Sequence, residues 1–218
     1  MYFVPTRGRP HRLQQLLDAC VDTDMSMPGL IVVDGADGGD YSGAQLPHNW
    51  RLEVAEERGD VGGRLDALLE EHPDEEFYSI INDDIVPETP RWDVLLADRI
   101  GDGWNFVYPN DCVQGEAMAT QFLVGGELAR SVGSLSLGFR HGKLDRAWME
   151  IADALGRLVY CDNIRLRHEH FTTGAAPHDE TYKKIFNGRS TVKTDGMRWH
   201  SWQDEKEGLF TRLRREVP

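Results

Sequence analysis

The sequence predicts an α/β fold: a mainly parallel central sheet flanked by helices within a single domain. Two observations lead to this prediction. Short apolar runs bounded by polar residues are typical of buried strands, and they recur along the chain. Most are followed by a short loop and then by apolar residues at helical spacing, an order that favours parallel strands with helices packed over them. A chain of 218 residues can bury a substantial single core.

The first half of the chain contains four predicted strands and two predicted helices. The apolar runs place strands at residues 2–4, 29–33, 52–54 and 77–86. Pro5 and Pro87 end the first and the fourth of them, because proline cannot donate a ladder hydrogen bond. One helix begins near Pro10, since proline is favoured at a helix start, and the other begins near Val61.

The second half continues the same pattern as far as residue 170. A helix is predicted after Pro90, and apolar runs place strands at residues 105–109, 120–124 and 158–170. A short helix lies over residues 127–130, and an amphipathic helix lies over residues 144–155. From residue 172 onward, glycines, prolines and scattered charges predict loops and short helices. We therefore expect a main domain over residues 1–172, with residues 173–218 as a tail packed on it.

Composition limits the classes of partner and the cellular location. The net charge of −13 argues against broad attraction to nucleic acid or to anionic lipid, although a local basic groove is compatible with it. The three cysteines lie far apart and form no CxxC pair, which favours a reduced protein. No signal peptide and no apolar run of membrane-spanning length is evident, so we expect a soluble cytoplasmic protein without membrane insertion.

An acidic segment at the end of the fourth strand is the first candidate site. Asn82, Asp83 and Asp84 follow the apolar run directly, and their oxygen atoms suit a hard divalent ion such as Mg²⁺ or Mn²⁺. The alternative is a strand that simply runs into an acidic turn. His168 and His170 alternate along the last predicted strand and share one face, so either could add a nitrogen ligand to Asp84. The alternative for them is a structural or exposed pair.

Basic residues after the first strand and before the second helix form a candidate phosphate site. Arg7 and Arg9 lie in one glycine-containing loop, and Arg58 and Arg64 lie in another. Guanidinium groups match phosphate oxygens, and the N-terminus of the helix near Val61 would add a favourable dipole. Solvated loop arginines are the alternative interpretation.

Two acidic residues have both a functional and a structural interpretation. Asp34 follows the second strand, where it could bind a ribose or a base, or could simply form the turn before Gly35. Asp145 lies at the start of the amphipathic helix. It could act there as a general base, or its carboxylate could simply be stabilised by the helix dipole. Trp148 on that helix could stack on a sugar or pack in the core.

Together these residues resemble a glycosyltransferase of the GT-A type, nearest to the family 2-like enzymes. The resemblance covers residues 1–172 and rests on the order of Val4-Pro5-Thr6-Arg7, Asp34, the arginine and glycine loop, and Asn82-Asp83-Asp84 at the place of the DxD motif. The chain departs from the family at Asn82, where the motif has aspartate, and before Asp145, where Lys143-Leu144 replaces a second acid.

The resemblance implies a role for each of these residues. Donor binding falls to Pro5, Thr6, Arg7, Arg9, Asp34, Arg58, Arg64, Asn82 and Asp83. Asp84 would bind the metal together with His168 or His170. Asp145 would act as the catalytic base. The acceptor would be bound by Gly125, Gly126, Glu127 and Trp148.

The implied activity is metal-dependent transfer of a sugar, with Mn²⁺ or Mg²⁺, from a nucleoside-diphosphate donor to an acceptor hydroxyl with inversion. The acceptor would be a saccharide or, in a phage-encoded enzyme, a hydroxylated base in DNA, whose phosphates the basic residues after Ile164 could follow. Two other functions stay open. A nucleotidyltransferase would favour a lysine in the first loop, and residues 5–10 contain none. A non-catalytic nucleotide-sugar or metal-binding scaffold would account for Asn82 as the mark of a decayed site.

Overall fold

The structure, a computed structural model, describes residues 1–56, 59–171, 174 and 189–218. Eight strands lie in that part of the chain: β1 (Tyr2–Thr6), β2 (Gly29–Val33), β3 (Trp50–Val54), β4 (Phe77–Ile80), β5 (Ile85–Pro87), β6 (Phe106–Asn110), β7 (Phe122–Gly125) and β8 (Leu158–His168). The helices described there are α1 (Pro10–Asp22), α2 (Val61–Glu71), α3 (Trp92–Ala97), α4 (Gly126–Val132), α5 (Leu144–Leu155) and α6 (Arg189–Leu213).

The strands form two adjoining sheets. One sheet has the order β1-β2-β3 and is parallel throughout, and the other has the order β4-β7-β6-β8-β5. Backbone hydrogen bonds from Ser79 N to Met1 O (3.2 Å) and from Ile81 N to Phe3 O (2.9 Å) link β4 to β1. Through this link, the carboxyl ends of β1, β2 and β4 come to the same edge.

The prediction of a mainly parallel sheet is wrong for the second half of the chain, where the sheet is mixed. Strand β7 runs antiparallel to both β4 and β6, and β5 runs antiparallel to β8. Parallel strands need a long crossover connection, usually a helix, whereas a reversing chain does not. Only a single 3₁₀ turn, Gly115–Ala117, lies between β6 and β7, whereas α4 and α5 connect the chain to β8, which runs parallel to β6.

The predicted strand over residues 77–86 is two strands. Strand β4 ends at Ile80, the chain turns at Asp83 and Asp84, and β5 begins at Ile85 to pair with β8. Pro87 therefore ends the second, shorter strand. The turn arises because Asp83 and Asp84 are held by side chains of the first loop, as described below.

Apolar side chains pack on both faces of the sheet. Tyr2 and Val4 of β1 join one buried cluster, and Phe3 between them joins the other, as expected from the alternation of side chains along a strand. Leucines of α1 and Trp92 of α3 cover the first face. Residues of α2, α4, α5 and α6 cover the second, including the fully buried Trp148.

The C-terminal part of the chain contains a 25-residue helix, α6, where loops and short helices were predicted. Its sequence has a weak amphipathic pattern, and Gly196 lies inside it. Trp202, Phe210 and Leu213 are buried in the core cluster on the second face. Packing against the rest of the fold therefore stabilises a helix that local propensity does not strongly favour. None of the helices in the described ranges combines the length and the apolar character needed to cross a bilayer.

Replacing Gly62 by alanine tests the packing of α2. A Cβ at Gly62 would lie 1.9 Å from the carbonyl oxygen of Phe139, so Gly62→Ala is expected to lower the free energy of unfolding by about 1–3 kcal/mol. Gly63→Ala is the matched control, because its Cβ would meet only Asp60 Oδ1 at 3.4 Å. That variant is expected to gain up to about 1 kcal/mol in helix propensity. Urea unfolding of both proteins measures the difference, and equal stabilities would contradict the packing described.

Candidate functional site

A cleft of about 420 Å³ opens at the edge where β1, β2 and β4 end. The N-termini of α2 and α5 and the end of β8 complete its walls. The cleft brings together most of the residues that the sequence predicted for donor, metal and catalysis, namely Pro5, Thr6, Arg7, Arg9, Asp34, Arg64, Asn82, Asp83, Asp84, Asp145, His168 and His170. Arg58, also predicted to bind the donor, lies outside the described residues.

The loop after β1 is held against the acidic turn by a short chain of hydrogen bonds. Thr6 Oγ1 donates to Asp83 Oδ2 at 2.7 Å. The hydroxyl of Tyr41 lies 2.9 Å from Thr6 Oγ1 and accepts the backbone N–H of Arg9 at 2.8 Å. Tyr41 is buried, and it follows the glycine-rich segment after β2 that gave no sign of this role in the sequence. The tyrosine therefore positions two predicted donor-binding residues.

Arg9 lies between the two carboxylates of the turn. Its Nη1 is 3.2 Å from Asp83 Oδ1 and 3.4 Å from Asp84 Oδ2, and all three residues are buried. Burial and then the charge of Asp84 raise the pKa of Asp83 to about 6, and the contacts with Arg9 and Thr6 only partly offset them. The cleft thus contains a concentrated pair of acids with one cation already in contact with both.

His168 contacts the acid pair. Its Nε2 lies 3.3 Å from Asp84 Oδ1, whereas Arg9 Nη1 lies 3.4 Å from Asp84 Oδ2. The register of β5 against β8 explains this contact, since Ile85, the residue after Asp84, lies opposite His168. His170 packs its ring 5.2 Å from that of His168, and burial, with a smaller contribution from His168, lowers its pKa.

Asp111 supports His168 from the side opposite Asp84, and sequence reasoning missed it. Its carbonyl oxygen accepts the backbone N–H of His168 at 3.0 Å, and its Oδ2 lies 4.0 Å from His168 Nδ1. Asp111 Oδ1 also accepts the backbone N–H groups of the three residues from 113 to 115 at 2.7–3.0 Å. The only signal for Asp111 in the sequence is its position as a polar residue directly after the apolar run of β6.

The side chains of Asp84 and His168 suit a metal ion that completes its coordination with atoms of a bound ligand. Within the described ranges, no three His, Cys, Asp or Glu side chains form a ready-made metal cluster. Asp84 and His168 nevertheless bring one oxygen and one nitrogen close together. Mg²⁺ sites commonly use one or two carboxylates and complete their coordination with water and substrate phosphates. These residues fit an ion of that kind better than an ion held by protein alone.

Arg7 connects two other walls of the cleft. Its Nη2 lies 2.7 Å from Asp34 Oδ2 at the end of β2 and donates to Gly59 O at 2.5 Å before α2. Asp34 is buried, while the Arg7 side chain is partly exposed to the cleft. Asp60 caps α2 by accepting the N–H of Gly63 at 2.9 Å. The loop before α2 is thereby held next to the first loop, with Arg64 in the same cleft.

Asp145, at the N-terminus of α5, lines the same cleft as the acid pair. Lys143, with φ of 68°, ends the preceding loop in a left-handed conformation, and α5 begins at Leu144. Burial raises the pKa of Asp145, although the backbone N–H of Arg146 donates to its Oδ1 at 2.8 Å and opposes the shift. A half-buried carboxylate with a raised pKa is well suited to accept a proton.

The four residues predicted to bind an acceptor do not line the cleft. Because β7 is antiparallel to β4, Phe122 pairs with Ile80 at the cleft, and Gly125 pairs with Phe77 at the opposite edge. Gly126 and Glu127 follow at that far edge. Trp148 is completely buried in the core, and its Nε1 donates to Leu135 O at 2.9 Å. The segment from His141 to Asp145 forms the corresponding wall instead.

Comparison with known proteins gives a likeness in fold. No family model matches the chain, and no curated protein matches its sequence. Among solved structures, S. aureus TarS is similar with a TM-score of 0.52 at 13% identity, over 76% of this chain and 36% of that one. S. aureus TarS 1-349 in complex with UDP is similar with a TM-score of 0.53 at 13% identity, over 76% and 59%.

The chain therefore spans less than two thirds of each of these TarS structures. TarS is a glycosyltransferase. At this level of identity, the likeness shows the fold alone, a mixed α/β architecture similar to that of TarS.

The raised pKa of Asp83 predicts a pH dependence of stability in metal-free protein. A carboxyl whose pKa is higher in the folded state stabilises the fold fully below its ordinary pKa of 3.8, and this stabilisation is lost as the pH rises through about 6. Between pH 4 and about 6, wild type should therefore lose stability relative to Asp83→Asn. Urea unfolding of both proteins in EDTA measures the difference, and a difference that stays constant across this window would contradict the shift.

Proposed function

We propose that the protein is a glycosyltransferase that moves a sugar from a nucleoside-diphosphate donor to an acceptor hydroxyl. One observation carries the proposal: a buried acid pair and a separate half-buried carboxylate, Asp145, line the same cleft together with Arg7, Arg9 and Arg64. This combination provides groups for an anionic leaving group and for a proton acceptor. The likeness in fold to TarS, one of whose structures contains UDP, supports it.

The donor diphosphate would bind among the arginines of the first and second loops. Arg7 and Arg9 are already oriented by Asp34 and by the acid pair, so their guanidinium groups require little reorganisation on binding. The N-terminus of α2 faces the same space and favours negative charge. Asp34 then remains the candidate for contacts with the nucleoside, and Pro5, Thr6, Asn82 and Asp83 for the floor of the donor site.

Asp84 and His168 would hold a divalent Mn²⁺ or Mg²⁺ ion, with His170 beside them. When bound, such an ion neutralises charge that develops on the leaving diphosphate. The protein's part is to orient Asp84, which the contacts with Arg9 and His168 achieve. Arg9 remains on the other oxygen of Asp84, where it balances the charge of the pair.

Asp145 would accept the proton of the acceptor hydroxyl. A base on the wall facing the donor lets the hydroxyl attack in line with the departing diphosphate, which inverts the anomeric centre. The acceptor enters past residues 141–145 in this proposal, and not past the loop at residues 125–127, which the structure places at the opposite edge of the sheet. A saccharide and a hydroxylated DNA base are both acceptors to test.

Thermal unfolding with nucleotides tests donor binding and metal dependence together. UDP, GDP, CDP, ADP and dTDP are each added with Mn²⁺ and with EDTA. A nucleotide at about 100 times its dissociation constant stabilises the fold by about 2.7 kcal/mol, a shift of several degrees in Tm. We expect one nucleotide to produce this shift with Mn²⁺, and Asp84→Asn to lose it. Asp74→Asn, at an exposed position outside the cleft, is the control. A wild-type protein that none of the five stabilises would overturn the proposal.

Asp145→Asn separates catalysis from binding. The amide keeps the size of the side chain and cannot take up a proton, so transfer should fall by about 10²–10⁴-fold while nucleotide binding stays unchanged. Asp153→Asn makes the same change at an exposed position on the same helix and should leave the rate intact. Rates are measured as release of the nucleoside diphosphate in the presence of acceptor. Transfer at the wild-type rate in Asp145→Asn would remove it as the base. Nucleotide binding without transfer by the wild type to any acceptor would favour a binding scaffold.

A further inference from the structure

Asp195 of α6 is a buried carboxylate that receives three backbone N–H groups from the loop before α5. Its Oδ1 accepts from Arg140 N at 2.8 Å, and its Oδ2 accepts from His141 N at 3.1 Å and from Gly142 N at 2.7 Å. The side chain is only 4% exposed. Hydrogen bonds to an ionised acceptor are stronger than neutral ones, so this single residue largely determines the path of the loop.

The loop that Asp195 holds, residues 140–145, forms one wall of the cleft and is called the base loop here. His141, Gly142, Lys143 and Asp145 all face the cleft. Lys143 has a left-handed backbone conformation immediately before the first turn of α5. A change in the path of residues 140–142 would therefore be transmitted directly to the start of α5 and to the carboxylate of Asp145.

Further contacts from α6 act on the same segment. Arg198 Nε donates to Leu137 O at 2.7 Å. The ring of Trp199 has Lys143 Nζ 4.9 Å and Arg146 Cζ 5.2 Å from its centroid. Trp202 Nε1, one turn further along, donates to Glu150 Oε2 of α5 at 2.9 Å. The helix thus holds both the base loop and the helix that follows it.

Helix α2 contacts the base loop from another side. Gly62 N donates to Arg140 O at 2.9 Å, which leaves the N–H groups of residues 140–142 to Asp195. Loss of the Asp195 carboxylate would therefore loosen the loop while α2 still holds it at Arg140. The apolar core contacts of α6 are made by other residues, which lie further along the helix, from Trp202 to Leu213.

We propose that Asp195 is a positioning residue for sugar transfer: it holds the base loop so that Asp145 faces the donor across the cleft. The proposal rests on the proposed function for its kinetic consequence. Its structural content, that one carboxylate of the C-terminal helix orders the base loop, stands apart from any substrate. It gives α6 a role in the transfer site in addition to its role in the core.

Asp195→Asn is the kinetic test. Asparagine has nearly the same size, but its amide nitrogen cannot accept a hydrogen bond. The substitution therefore removes the backbone hydrogen bonds that one of the two carboxylate oxygens accepts. A misplacement of about 1 Å can cost about 10²-fold in rate. We therefore expect kcat to fall by about that factor while the affinity for the nucleotide that stabilises wild type, read by thermal shift, is retained. Asp195→Glu restores a carboxylate and is expected to recover part of kcat.

Asp204→Asn is the matched control, since it removes a charge from an exposed position on the same helix. It should leave kcat and nucleotide affinity unchanged. A wild-type kcat in Asp195→Asn would overturn the proposal. Parallel loss of kcat and nucleotide affinity would also overturn it, because it would indicate general damage to the cleft. If Asp195→Asn does not fold, Asp195→Glu is compared with Asp204→Asn. Because Asp195→Glu recovers only part of kcat, its kcat should be lower than that of Asp204→Asn while its nucleotide affinity is retained. Equal kcat values in the two variants would then overturn the proposal.

Hydrogen exchange tests the positioning contact without reference to activity. The amides of Arg140, His141 and Gly142 are expected to exchange about tenfold faster in Asp195→Asn than in wild type, since each loses part of a charge-assisted bond. Amides in α1, on the other face of the sheet, serve as internal reference. Unchanged protection at residues 140–142 would refute the contact. Faster exchange in a protein that binds no nucleotide would retain the contact and refute the proposed function alone.

Discussion

The buried carboxylate of Asp83 is the contact on which the rest of the site depends. It accepts a hydrogen bond from Thr6 at 2.7 Å and lies 3.2 Å from the guanidinium of Arg9, so it ties the loop after β1 to the turn after β4. A buried charge without such partners would be very costly. With them, the chain can turn sharply after Ile80 and present Asp84 with one oxygen towards Arg9 and the other towards His168.

The same principle explains how a chain with a net charge of −13 can place three arginines, Arg7, Arg9 and Arg64, in one cleft. The arginines of the cleft do not form an open basic patch. Arg7 pairs with Asp34, and Arg9 pairs with Asp83 and Asp84, so carboxylates fix the positions of the cations before any ligand arrives. Cations ordered in advance lose less conformational entropy when a ligand binds.

The antiparallel direction of β7 relative to β4 decides which segment forms the wall of the cleft that contains Asp145. A strand in the predicted parallel direction would have brought Gly125 and Gly126 to the edge where β4 ends. The antiparallel register places Phe122 there, and the loop before α5 takes over the wall. That loop is held by Asp195, a residue 53 positions away from Gly142 along the chain. The position of Asp145 therefore depends on contacts from the C-terminal helix as well as on α5 itself.

Local pattern alone determined most of the strands and helices and the charged residues that line the cleft. The strand at Gly29–Val33 and the helix at Leu144–Leu155 have the predicted bounds, because their apolar periodicity is strong. Arg7, Asp34 and Asp83 meet as expected because parallel strands end at one edge. Tertiary structure decided the direction of β7, the contact of His168 with Asp84 and the helix at α6. Each of these depends on strand register or on contacts between residues far apart in the chain, and neighbouring residues carry no information about such contacts.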